Sequence, residues 1–117
     1  MHLLGPVIVS SFFRAEGWQV VLEVSPTESE LSHAVANEWF DVVGVSVSTS
    51  DQLTKLKQLV KVLKKSSRNP SLSVLAGGPM FLDASLSADK FGLDSICTDP
   101  QQAVQIANNF ARARSLG

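Results

Sequence analysis

Cys97 is the single cysteine in a chain of 117 residues. A disulfide within the chain is excluded, as is a thiolate metal cluster, and a reducing compartment fits. A basic excess is missing too. Ten Lys+Arg against eleven Asp+Glu give a formal net charge of -1, so no reserve of cations is available to neutralise phosphates, which argues against direct nucleic-acid binding. No apolar run approaches the ~18 residues that a spanning helix needs. The opening Met-His-Leu-Leu-Gly-Pro lacks a basic segment, a long apolar core and a small-residue cleavage site, and so is not read as a signal peptide. The expectation is a soluble, cytoplasmic protein without a membrane partner.

Several catalytic frameworks are also missing. No Gly-x-Gly-x-x-Gly follows a strand-like run, and no Gly-x-x-x-x-Gly-Lys or Gly-x-Ser-x-Gly occurs, which leaves both standard nucleotide sites and the hydrolase elbow unsupported. Two histidines and one cysteine offer no triad. A phosphoacceptor receiver would want clustered carboxylates at strand ends and a lysine after the last strand, whereas Asp51 stands alone and Thr98-Asp99-Pro100 brings no lysine. The chain reads as a binding module, not an enzyme.

What is present is alternation. Hydrophobic residues make up 44% and charged residues 18%, the balance of one globular domain. Leu4, Ile8 and Phe12 recur at helical spacing, and Gly17 supplies a stop. Residues 18–24 and 41–48 read as buried parallel strands. Between them Ser25-Pro26-Thr27-Glu28 reads as a capping box with Pro at the first helical position, ahead of an inner face of Leu31, Ala34 and Val35. Ser50 or Asp51 caps a further helix with Leu53, Leu56, Leu59, Val60 and Leu63 inward and a lysine-rich outer side. Strands over 72–76 and 95–98, a weakly helical stretch over 84–91, and a last helix with Ala103, Val104, Ala107 and Phe110 inward complete the chain. Strands separated by helices mean βαβ crossovers and an open parallel sheet, with helices on both faces. Ligands of such sheets sit beyond the carboxyl ends of the strands.

Three features there can carry chemistry, each beside a plainer reading. His2, just ahead of Gly5 and Pro6, can ligate a metal, or it is simply part of a terminus. Ser46, Ser48, Thr49 and Ser50 can donate to a ligand, or cap the following helix. Gly77-Gly78-Pro79 can let backbone approach a bulky ligand, or make a turn. His33 reads as a surface residue, and Cys97 as a small core residue.

Taken in order, His-x-x-Gly, Ser-x-Ser and Gly-Gly resemble the cobalamin-binding domain family, of flavodoxin-like fold. The resemblance implies that His2 replaces the cofactor's own lower base on the metal. It also implies that the nucleotide tail passes Ser46, Ser48 and Ser50, with Gly77 and Gly78 giving clearance and Gly5 a cofactor-binding residue of the His-x-x-Gly match. Phe12 to Trp18, Ser67-Arg68-Asn69-Pro70, Gly77 to Phe81 and Asp99 to Val104 are similar to antirepressors of photosynthesis genes in purple bacteria, a branch that includes heme-binding variants. That implies a tetrapyrrole sensor, loaded with cobalamin or heme, acting on a transcription factor or other regulatory protein, with a homodimer as one assembly. A cofactor-free interaction module and a corrinoid carrier for methyl transfer or isomerisation are the alternatives.

Two departures stand out. The family's aspartate two positions before the histidine has no counterpart, because only Met1 precedes His2. With a helix read from Leu4, the usual central first strand is also missing. The expectation is therefore a fragment, or a sheet whose central strand is supplied by rearranged pairing or another subunit.

Overall fold

A five-stranded, wholly parallel sheet in the order β2-β1-β3-β4-β5 organises the molecule. The computed structural model describes residues 2–5, 19–22, 27–82, 86–97 and 100–116. The strands are β1 (His2–Gly5), β2 (Gln19–Leu22), β3 (Val42–Ser46), β4 (Ser73–Gly77) and β5 (Ser95–Cys97). Three α-helices are described: α1 (Glu28–Asn37), α2 (Ser50–Ser66) and α3 (Pro100–Leu116). This is the α/β flavodoxin-like open sheet that the alternation implies.

The expected absence of a first strand is corrected. His2–Gly5 is itself the central strand, with Leu3 and Leu4 in register with Val20 and Val21 on one side and Val42 and Val43 on the other. Four residues carry too little periodicity to separate a strand from the start of a helix, and the i+4 recurrence from Leu4 misassigned them. Pairing decides the matter, because a gap at the centre would leave two rows of backbone donors and acceptors unmatched. The helix read beyond residue 5 lies outside the described residues.

Local chemistry sets the helix ends. Thr27, not Ser25, caps α1: its hydroxyl accepts from the Glu30 N–H at 3.1 Å, and the Glu30 carboxylate accepts from the Thr27 N–H at 3.3 Å. Thr49 and Gln52 repeat that box on α2 at 3.2 and 3.3 Å. The same helix carries Asp51 in its first turn and Lys64 and Lys65 in its last, the arrangement its macrodipole favours. Of the stretch expected to be helical over 84–91, residues 86–91 are described, and they hold a 3₁₀ turn at Ala88–Phe91; another lies at Pro79–Leu82. The weak apolar pattern there could not sustain α-helix, and Gly92 ends the second turn in a left-handed conformation at φ 74.

Each face of the sheet has its own core. Val43, Val74 and Ala76 point to one side, where they meet Leu31 and Val35 of α1, Leu56, Val60 and Leu63 of α2, and Phe40, Phe81 and Leu93. Val42, Leu75 and Cys97 point to the other, against Ala103, Val104 and Ala107 of α3. The inward faces read from the sequence are thus the faces that pack; Ala34, Leu53, Leu59 and Phe110 join as partly buried members. Each fully buried Leu or Val stabilises the fold by about 1.5–3 kcal/mol relative to exposure. No helix among the described residues is long and apolar enough to cross a membrane.

Candidate functional site

In the strand order 2-1-3-4-5 the chain reverses its direction of winding between β1 and β3, and in open parallel sheets ligands bind beyond the carboxyl ends at such a point. The residues that end the strands are Gly5, Leu22, Ser46, Gly77 and Cys97. Six of the seven expected site residues, Gly5, Ser46, Ser48, Ser50, Gly77 and Gly78, lie at this edge.

His2 does not. It opens β1, in register with Gln19 at the start of β2, on the amino edge of the sheet. Three residues of extended chain, ~10 Å of backbone, separate it from the carboxyl edge. The sequence reading placed it just ahead of a helix; the structure places it within a strand.

The serine cluster divides into two roles. Thr49 performs the capping, while Gln52 Oε1 also accepts from the Ser48 N–H at 2.8 Å. The hydroxyls of Ser46, Ser48 and Ser50 take no part in that cap, and all three residues are exposed. Thus the cap and the free hydroxyls coexist at one strand end. Sequence reasoning missed Thr49 and Gln52 as the organising pair, although Thr-x-x-Gln before an apolar-periodic helix signals it.

The paired glycines serve the protein's own backbone. Gly78 has φ +112, and a Cβ there would lie 2.5 Å from the Val47 carbonyl oxygen. A Cβ on Gly77 would lie 2.9 Å from the Cys97 carbonyl oxygen. Val47 is clasped at the same point: its N–H donates to the Gly77 carbonyl at 2.8 Å, and its carbonyl accepts from the Met80 N–H at 3.4 Å. The clearance that the resemblance assigned to a ligand is taken, in the Cβ directions, by the ends of β3 and β5. His33 is exposed, its Nδ1 lying 3.3 Å from Asn37 Nδ2, and Cys97 is buried. Among the described residues no group of three or more His, Cys, Asp or Glu is placed to hold a metal ion.

The parallel sheet, with its switch point beside a hydroxyl-bearing edge, defines a flavodoxin-like domain. The B12 binding domain family matches residues 1–105, and the chain belongs to that family. A corrinoid protein of Desulfitobacterium hafniense (strain Y51) is 29% identical over 111 residues, covering 94% of this chain and 50% of that protein. The crystal structure of a cobalamin-binding protein from D. hafniense DCB-2 superposes with a TM-score of 0.79 at 18% identity, over 93% of this chain and 57% of that one. The Methanosarcina barkeri monomethylamine corrinoid protein gives 0.73 at 17% identity, over 92% and 55%. At those identities the two structures speak for the fold. The chain spans about half the length of the curated relative it matches. These relatives are named for corrinoids, not for heme or for transcriptional control.

Proposed function

We propose that this chain is a corrinoid-carrying domain that holds a cobalamin across the carboxyl edge of the sheet and acts as a binding unit rather than an enzyme. The observation that carries the reading is the coincidence of the family match over residues 1–105 with the exposed hydroxyls of Ser46, Ser48 and Ser50 at the end of β3, beside the switch point. Hydroxyls suit the amide-fringed rim of a corrin, to which they can both donate and accept. The propionates of a heme call instead for cations. Among the described residues, the charge in the first turn of α2 beside these hydroxyls is the carboxylate of Asp51, matched by Lys55 at 3.2 Å, which favours cobalamin. A bound corrinoid supplies a cobalt centre able to accept and release an alkyl group; the protein's part is to seat and orient it.

Ligation of cobalt by His2 is supported by the match of His2 and Gly5 to the family's His-x-x-Gly. It carries a structural condition. The backbone of His2 starts the central strand at its amino edge, so ligation at the carboxyl edge requires residues 2–5 to give up their pairing with β2 and β3.

The test is a titration of the purified chain with hydroxocobalamin and, separately, hemin, followed by visible spectra and retention through gel filtration. Cobalamin retained with a spectral shift, hemin not retained, and weaker retention in a Ser46→Ala/Ser48→Ala variant are expected. A spectral shift abolished by His2→Ala assigns the axial ligand; retention with an unchanged spectrum assigns binding by the edge alone. A folded sample that retains no cobalamin refutes the proposal. It would leave the cofactor-free interaction module, a reading favoured by the occupation of the Gly77 and Gly78 clearances by Cys97 and Val47.

A further inference from the structure

The two helices whose N-terminal caps are described use different residues for one task. In α1 the reciprocal acceptor is the Glu30 carboxylate, 3.3 Å from the Thr27 N–H. In α2 it is the Gln52 carboxamide, 3.3 Å from the Thr49 N–H. A carboxylate suits that position at least as well, because it accepts the same bond and its charge favours a helix N-terminus. What glutamine adds is a donor.

Gln52 also reaches past the cap to the residue before it. Its Oε1 accepts from the Ser48 N–H at 2.8 Å, a shorter bond than the one that closes the box. Both partners are backbone N–H groups, which only donate, so the carboxamide oxygen faces them and the Nε2 amino group is the end turned away. Among the described residues Nε2 has no hydrogen-bond partner, and Gln52 is exposed. The carboxamide is thus tied to the backbone of Ser48, itself exposed at the strand end that also carries Ser46. Two bonds hold it in place, so little side-chain freedom remains to be lost when Nε2 meets an acceptor.

We propose that Gln52 is a specificity-determining residue of the carboxyl edge, donating through Nε2 to a carbonyl oxygen on the amide-fringed rim of the corrinoid. The inference rests on the reading of the chain as a cobalamin-binding domain. The hydroxyls of Ser46, Ser48 and Ser50 can each turn to donate or to accept. The Gln52 amino group only donates, and so fixes the polarity of the ligand group that can sit against it.

Gln52→Glu isolates the donor, since glutamate keeps the size and both acceptor bonds and exchanges Nε2 for an oxygen. Equilibrium dialysis against hydroxocobalamin measures affinity, and urea unfolding of the cofactor-free chain measures the cap. Gln52→Glu should bind about fivefold more weakly or worse, with an unfolding midpoint no lower than wild type. The added carboxylate would attract the cationic aquo form of the cofactor, so its charge acts against the expected loss. Gln52→Ala should lose both affinity and midpoint, because the cap goes with the donor. Aquocobinamide, which keeps the rim amides and lacks the nucleotide tail, should give the same ratio between wild type and Gln52→Glu. A Gln52→Glu chain of wild-type affinity overturns the proposal and leaves Gln52 a capping residue. So does a ratio seen with cobalamin and absent with cobinamide, since the donor would then serve the tail. A folded wild-type chain that binds no cobalamin refutes the reading beneath, and this inference with it.

Discussion

Replacing Gly78 by alanine tests whether the paired glycines serve the fold or a ligand. At φ +112 an L-residue is strained by about 1–2 kcal/mol. The added methyl would also sit 2.5 Å from the Val47 carbonyl oxygen and 3.0 Å from its nitrogen, well inside van der Waals contact. Neither atom is a flexible side-chain end, so the ends of β3 and β4 must part. Parting them weakens the Val47 N–H to Gly77 and the Met80 N–H to Val47 hydrogen bonds, each contributing about 1 kcal/mol. The total is about 2–4 kcal/mol, a large share of the roughly 5–15 kcal/mol that holds a domain of this size.

Gly92 calibrates the strain. It too has positive φ, 74, but a Cβ there would meet only Val60 Cγ1, at 3.8 Å. Gly92→Ala therefore carries the conformational cost of about 1 kcal/mol without the collision. Urea unfolding of the cofactor-free chain, followed by far-ultraviolet circular dichroism, should rank Gly78→Ala well below Gly92→Ala, with Gly77→Ala between Gly78→Ala and wild type. A Gly78→Ala chain that unfolds with wild-type midpoint and slope but no longer retains cobalamin would refute the reasoning. That outcome would return Gly-Gly to the role the resemblance gave it.

Three further changes have expected outcomes. Asn69 is 2% exposed, its Nδ2 donating to the Phe40 carbonyl at 2.9 Å and its Oδ1 accepting from the Ser71 N–H at 2.9 Å. Asn69→Ala removes both hydrogen bonds from a buried position and should lower unfolding stability by about 1–3 kcal/mol in the same urea assay. Thr49→Ala removes the cap of α2 and should lower stability by about 1 kcal/mol, whereas Ser48→Ala should leave it within about 0.5 kcal/mol; equal losses would contradict the division of roles at that edge. Asp94 accepts from the Val74 N–H at 2.7 Å and from Lys64 at 3.0 Å. The ion pair is partly exposed and contributes at most about 1 kcal/mol, so Lys64→Ala should cost less than Asp94→Ala.

The sequence exposes what is periodic and hides what is short or distant. Leu56, Val60 and Leu63 repeat at helical spacing over seventeen residues of α2, and their burial could be read directly. His2–Gly5 is only four residues long; what makes it a strand is pairing with segments some fifteen and forty residues away, which no local pattern contains. The hydroxyls at the end of β3 were legible because the strand and the helix flanking them were. The use of Gly78 was not, because its cause is the Val47 carbonyl, thirty-one residues upstream and adjacent only after β3 and β4 pair. Asn69 escaped notice for the same reason, since its partner Phe40 precedes it by twenty-nine residues.

Rigidity and chemistry are separated at the carboxyl edge by single residues. Val47 is buried and clasped by Gly77 and Met80, while its neighbours Ser46 and Ser48 are exposed; alternation along an extended chain forces that division. Thr49 then spends its hydroxyl on α2, and Ser50 is exposed at the first helical position. A ligand at this edge therefore meets hydroxyls on a backbone that is already fixed, and binding need not order the loop that presents them. Loosening the Val47 clasp should consequently weaken retention of cobalamin even though Val47 itself is buried, and should do so more than removing any one serine hydroxyl. Gly78→Ala presses on the Val47 backbone, whereas Val47→Ala leaves both of its hydrogen bonds in place. A greater loss of retention in Gly78→Ala than in Val47→Ala or Ser48→Ala is expected, and equal losses would contradict the anchoring role.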